Sequence, residues 1–137
     1  MRTYTLNIMT PRHQFFSGEV EALTVSVPDG EITILAGHAH LAAPILVGKL
    51  SIKIDDEWKE AYCAEGFMEV GHNKVNLFVQ SCEWPEDIDI ERAYSVLRQA
   101  KDRLSHRKDE HEDRLAQIAF EHSIARLKVA HQDIDVK

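Results

Sequence analysis

From Glu86 to Lys137 the chain runs for 52 residues without a glycine or a proline, whereas all six glycines lie at or before Gly71 and the last proline is Pro85. Glycine and proline interrupt regular helices and make tight turns possible. A stretch this long with neither favours helix, and a stretch punctuated by both favours short elements joined by turns. The two parts follow different structural rules, and Trp84-Pro85 marks the seam between them. The expectation is two units, residues 1–84 and residues 85–137.

The first part reads as strands. Runs rich in β-branched residues are expected over Thr3–Ile8, Val20–Val27, Glu31–Leu35, Lys49–Ile54, Glu60–Ala64 and Val75–Gln80. In Leu23-Thr24-Val25-Ser26-Val27 and in Leu50-Ser51-Ile52-Lys53-Ile54 apolar and polar positions alternate with the period of two that a half-buried strand requires. Phe67–Val70 and Val75–Val79 flank Gly71-His72-Asn73-Lys74, the composition of a hairpin loop. Short strands at close spacing with no long helical pattern between them predict a β-sandwich of about ten short strands.

The second part reads as two helices, which makes the whole chain an α+β arrangement. Ile90, Ala93, Val96, Leu97, Ala100 and Leu104 share one helical face. Asp87 or Asp89 can cap its start, and Arg103, Arg107 and Lys108 suit the negative end of its dipole. The polar run Ser105–Asp113 interrupts the pattern, and a second helix is expected from about Arg114 to His131. Its apolar arc is broad: Leu115, Ile118, Ala119 and Val129 on one side, Ala116, Phe120, Ile124 and Leu127 on the other. Two helices with a short polar connection form an antiparallel hairpin.

Composition narrows the function classes. The chain has 137 residues and a net charge of −7, which argues against nucleic-acid binding, since that requires clustered positive charge. Residues 1–84 carry a net −5 and residues 85–137 a net −2. A chain this long buries roughly two-thirds of its unfolded surface, so neither a metal nor a disulfide is needed to hold it. Cys63 and Cys82 form no CxxC pattern and read as two small apolar residues in a reducing compartment. The N-terminus has no apolar core of the kind a signal peptide needs, and no segment approaches the ~20 apolar residues of a membrane span. Any membrane association must come through a partner.

Catalytic signatures are absent: there is no GxxxxGK[ST], GxGxxG, GxSxG or HExxH. His38-Ala39-His40 has the spacing of two ligands on one strand face, but the glutamate of a cupin-type metal site does not follow. His122 and Arg126 project from within the apolar arc of the second helix, where a guanidinium needs an anion. Two sources are open. Asp89 at the start of the first helix can supply an internal ion pair, or Arg92 and Arg126 together can hold the phosphates of a nucleotide.

Four motifs occur in order. Gly30-Glu31-Ile32-Thr33-Ile34-Leu35-Ala36-Gly37-His38-Ala39 is similar to the GE-x-GI-x-PGHAPL segment of the epsilon subunits of F-type ATP synthases. Glu65-Gly66-Phe67-Met68-Glu69-Val70 resembles that family's GGFLEV strand, Ile88-Asp89-Ile90-Glu91-Arg92-Ala93 its I/L-D-x-x-R-A opening of the helical part, and Arg126-Leu127-Lys128-Val129 its R-L-x-V ending. Departures are Thr33 for a usual glycine, Ala36 and His40 for usual prolines, and Glu65 for the first glycine of GGFLEV. His122 stands where nucleotide-binding members have a second arginine, and a neutral imidazole attracts phosphate less than guanidinium does.

The resemblance implies a non-catalytic rotor subunit of the central stalk. The sandwich would bind the gamma subunit and the membrane c-ring, with Glu31, Gly37 and His38 at the positions facing the ring. The hairpin would be regulatory, lying on the sandwich or reaching into the alpha/beta catalytic head to block ATP hydrolysis. No cofactor is required, and ATP would act as a regulatory ligand at Asp89, Arg92 and Arg126. The implied location is the cytoplasmic face of a bacterial plasma membrane, held there peripherally by the complex. The competing expectation from another class is a free-standing adaptor, the sandwich binding one protein and the hairpin another.

Overall fold

The computed structural model describes residues 2–106 and 110–134. The chain divides into two compact units, Met1–Trp84 and Pro85–Lys137.

The first unit is a sandwich of two five-stranded sheets. Its strands are β1 (Tyr4–Met9), β2 (Gln14–Val20), β3 (Ala22–Val27), β4 (Gly30–Leu35), β5 (Leu41–Ile45), β6 (Gly48–Ile54), β7 (Glu57–Cys63), β8 (Gly66–Gly71), β9 (Lys74–Val79) and β10 (Cys82–Glu83). One sheet has the order β2-β1-β9-β8-β5 and the other β10-β7-β6-β3-β4. Neighbours pair antiparallel except β1 and β9, which run parallel with Thr5 opposite Lys74 and Met9 opposite Phe78.

Alternation decides which side chains meet between the sheets. Leu6 and Ile8 of β1, Met68 of β8 and Leu77 of β9 face Leu23, Val25, Leu50 and Ile52 of the other sheet in one buried core. Tyr4 ties the two layers directly, its hydroxyl donating to the Ile34 carbonyl at 2.7 Å. At the seam Trp84 stacks on Phe15 of β2, ring centroids 4.6 Å apart.

The expected single strand over Val20–Val27 is two strands. β2 ends at Val20, β3 begins at Ala22, and the two belong to different sheets. Glu21 makes the corner: its N–H donates to the Lys53 carbonyl at 2.8 Å and its carboxylate accepts from Asp56 N–H at 3.0 Å. The β8–β9 loop is tighter than Gly71–Lys74, with His72-Asn73 between the strands and Asn73 at a φ of 55°.

In the second unit a 3-10 turn at Pro85–Asp87 precedes α1 (Ile90–Ser105), and α2 spans Glu110–Val129. Of the two candidate caps, Asp89 is the one used, its Oδ1 accepting from Arg92 N–H at 3.0 Å. α2 starts before the expected Arg114, and Glu112 and Asp113 carry negative charge near its start, where the helix dipole favours it. The expected dipole partners Arg107 and Lys108 lie outside the described residues. The helices are antiparallel: Arg103 of α1 pairs with Glu112 of α2 at 3.1 Å, and the Tyr94 hydroxyl of α1 donates to the Asp133 carbonyl beyond α2 at 2.5 Å. Ala93, Leu97 and Leu127 form the buried seam, with Ile90, Tyr94, Phe120, Ile124 and Ile134 packed around it.

Candidate functional site

On the sandwich, β4 and the turn after it carry the candidate contact residues. Glu31 is the second residue of β4 and is exposed, opposite Ser26 of β3. Gly37 lies past the end of β4 at a φ of +84°, a conformation that favours glycine. A Cβ there would also press on the Arg2 guanidinium, whose nearest nitrogen would stand 3.0 Å away and would have to shift slightly. His38 is half-buried; its N–H donates to the Leu35 carbonyl at 3.1 Å, and its Nδ1 lies 2.8 Å from the Ala39 carbonyl. Glu31 and the Gly37-His38 turn sit at opposite ends of β4, roughly 15 Å apart at the rise of an extended strand. They do not form one compact spot.

Sequence reasoning missed what surrounds that turn. Arg2, Glu21, Lys53 and Trp58 line a cavity of about 330 Å³ with Thr33, Leu35 and Ala36. Leu35 and Trp58 are both exposed, and Lys53 Nζ lies 6.0 Å from the Trp58 ring centre. The signal available in the sequence was a tryptophan in a polar strand, Glu57-Trp58-Lys59-Glu60.

The His38-Ala39-His40 pair gathers no further ligand. Among the described residues no group of three or more His, Cys, Asp or Glu side chains stands ready to hold a metal. No described helix is long and apolar enough to cross a membrane.

On the hairpin, Asp89 and Arg92 come together through the helix cap, and both side chains are exposed. Arg126 is half-buried in the last turn of α2, at the end of the hairpin where α1 begins. His122, one turn earlier, is also half-buried, and Ser123 between them is buried and donates to the Ala119 carbonyl at 2.8 Å.

The broad apolar arc of α2 divides into two fates. Ala116, Leu127 and Val129 are buried, while Leu115 is 55% exposed and Ile118 41% exposed. Beside them, towards the helix–helix connection, runs an open groove of about 840 Å³ lined by Val96, Ala100, Leu115, Ala116 and Ala119, with Arg103 and Glu112 among its charged residues. A single partner helix leaves this face uncovered.

A β-sandwich with an exposed aromatic cavity and a strand-end turn, followed by a two-helix hairpin with an uncovered apolar face, presents surfaces of the kind that suit contact with other chains. The sequence profile of the beta-sandwich domain of the ATP synthase Delta/Epsilon chain matches residues 3–85, and that of the long alpha-helix domain of the same chain matches residues 86–131. The chain belongs to the ATP synthase epsilon-chain family. It is a non-catalytic subunit rather than an enzyme in its own right.

Relatives agree along nearly the whole length. The ATP synthase epsilon chain of Caldanaerobacter subterraneus subsp. tengcongensis is 39% identical over 130 residues, 94% of each chain. That of Caldicellulosiruptor saccharolyticus is 37% identical over 96% of each, and that of Bacillus velezensis 35% identical over 95% of this chain and 98% of its own. Among solved structures, a chain of the Euglena gracilis mitochondrial ATP synthase OSCP/F1/c-ring assembly has the same fold, with a TM-score of 0.82 at 22% identity over 95% of this chain and 82% of that one. A chain of the Tetrahymena thermophila mitochondrial ATP synthase central stalk and c-ring shares it more loosely, at a TM-score of 0.62 and 11% identity, over 92% of this chain and 95% of that one.

Proposed function

We infer that the chain is a central-stalk subunit of a proton- or sodium-translocating F-type ATP synthase, and that its hairpin restrains ATP hydrolysis by the catalytic head. The observation that carries the reading is the uncovered face of α2 at Leu115 and Ile118 beside the α1–α2 groove. Covering a leucine or isoleucine fully is worth roughly 1.5–3 kcal/mol. A second protein surface can therefore compete for a helix whose other side is already docked. Two packings of comparable energy form a switch that rotor state or a ligand can bias.

In this reading the sandwich is the anchor, meeting the gamma subunit and the c-ring. Glu31 and the Gly37-His38 turn lie roughly 15 Å apart, a span that suits a ring of repeated loops better than a single small partner. The complex then holds the chain peripherally at the cytoplasmic face of the membrane. The test is removal of residues 86–137: hydrolysis by the reassembled enzyme rises while the sandwich still assembles. Unchanged hydrolysis overturns the inhibitory role.

ATP as a regulatory ligand is a second reading, favoured by the two guanidiniums, Arg92 and Arg126, at one end of the hairpin. Asp89 shapes that end as the helix cap. Titration calorimetry with ATP up to millimolar concentration should give saturable heat that Arg126→Gln abolishes, and absence of heat removes the reading. The adaptor alternative predicts no co-purification with a membrane ATPase.

A further inference from the structure

The only two cysteines of the chain, nineteen positions apart in sequence, face each other across one strand pair. β7 and β10 run antiparallel with Cys63 directly opposite Cys82. Ala64 N–H donates to the Ser81 carbonyl at 2.9 Å, which makes Cys63 and Cys82 the neighbouring, non-hydrogen-bonded pair of the ladder. In such a pair the Cα atoms stand roughly 4.5 Å apart, within the ~4.4–6.8 Å that a disulfide accepts. Both side chains enter the same core cluster. The Cys63 thiol donates to the Ala64 carbonyl at 3.3 Å. Both are free thiols, side by side on one face of the strand pair.

Position gives the pair its consequence. β10 is two residues long and forms the outer edge of its sheet, and the chain passes directly from it through Trp84 to the 3-10 turn that leads into α1. Short edge strands open at low free-energy cost. We propose that Cys63 and Cys82 are a redox-closable pair, whose disulfide staples β10, and with it the root of the helical hairpin, to β7.

The oxidant is a small-molecule disulfide such as oxidised glutathione. With β10 docked, the hydrogen bond with Cys63 and burial together raise the Cys82 thiol far above its ordinary range, so it stays protonated. Fraying of the edge comes first. The exposed Cys82 thiol gives its proton to water, and its thiolate attacks one sulfur of the oxidant, breaking that S–S bond and expelling one thiolate. When β10 returns, the Cys63 thiol gives up its proton and its sulfur attacks Cys82 Sγ, breaking the mixed disulfide and expelling the second thiolate. The protein loses two protons and two electrons, and the small disulfide becomes two thiols.

The test uses the full chain with oxidised glutathione at neutral pH, alkylated at intervals and weighed intact. The expected product is lighter by two hydrogens, carries no adduct, yields a Cys63–Cys82 linked peptide and reverts with dithiothreitol. Exchange of the Glu83 amide should slow by about tenfold once the bond forms. Cys63→Ser should stop at the glutathione adduct on Cys82; should that variant not fold, the wild-type mass series decides alone. Accumulation of a doubly adducted monomer or of a cross-linked dimer, or no reaction in the folded chain while the urea-unfolded chain reacts, overturns the pair. A bond that forms without slowing Glu83 exchange overturns the staple.

Discussion

A methyl group added at Gly66 would overlap the Phe78 carbonyl oxygen and crowd Val79 Cα of the paired strand β9. Neither is the end of a flexible side chain, so the strands themselves must part. Gly66→Ala is expected to lower stability by about 2–4 kcal/mol, read as a fall in the urea midpoint. The sequence shows the glycine but not the backbone that presses on it, since that contact depends on which strand lies alongside. Tyr4 is a second residue whose chemistry depends on its surroundings. Burial pushes its phenol upwards, so it keeps its proton in the folded chain, whereas an unfolded tyrosine ionises near ~10. Above that pH the unfolded state releases a proton that the folded state retains, so stability falls as pH rises past ~10 and is untouched below it. Tyr4→Phe should flatten this alkaline decline in urea-unfolding series at stepped pH. By contrast the α1 cap is legible without a structure to within two candidates, Asp87 and Asp89, because an aspartate just before a helical period can satisfy a free N–H; the fold uses Asp89.

Elements were legible where one pattern ran without conflict. α1 and the β8–β9 hairpin follow from period and turn residues alone. The run Val20–Val27 keeps its β character straight through the Glu21 corner, so nothing local reveals that the chain changes sheets there. β5 hides for another reason: Pro44 argues against a strand, yet β5 is the outer strand of its sheet, where a missing N–H donor is tolerated. The first turn of α2 hides because it is polar all round. On α2 the expected outcome is a separation of fold from function. Leu115→Ser with Ile118→Ser removes side chains that the hairpin leaves largely exposed, so its helical stability should shift by no more than about 1 kcal/mol for the two together. Restraint of ATP hydrolysis in the reassembled enzyme should weaken several-fold, and a change in helix unfolding instead would assign these residues to the hairpin's own packing.

At the scale of the molecule, each unit holds its own buried cluster, residues 4–82 in the sandwich and residues 93–127 in the hairpin. A chain ending at Pro85 should therefore keep a cooperative urea transition and the near-ultraviolet circular dichroism of its packed aromatics; a non-cooperative transition would mean that the sandwich depends on the hairpin. The fold class was readable from the distribution of glycine and proline together with the strand and helix periods. The candidate contact residues were readable only as positions in a motif, because their roughly 15 Å separation along β4 is a property of the strand. The parallel pairing of β1 with β9 also imposes an order in time. Thr5 gains Glu19 of β2 as a partner on one edge soon after it is made, but its other edge has no partner until Lys74 arrives, so β1 is among the last strands to be sealed on both sides. The hairpin, built from near neighbours, can form within microseconds to milliseconds of its second helix appearing, whereas the sandwich waits for a closure spanning most of its length. During that interval the exposed edge of β1 is the surface a newborn chain must keep from sticking to another.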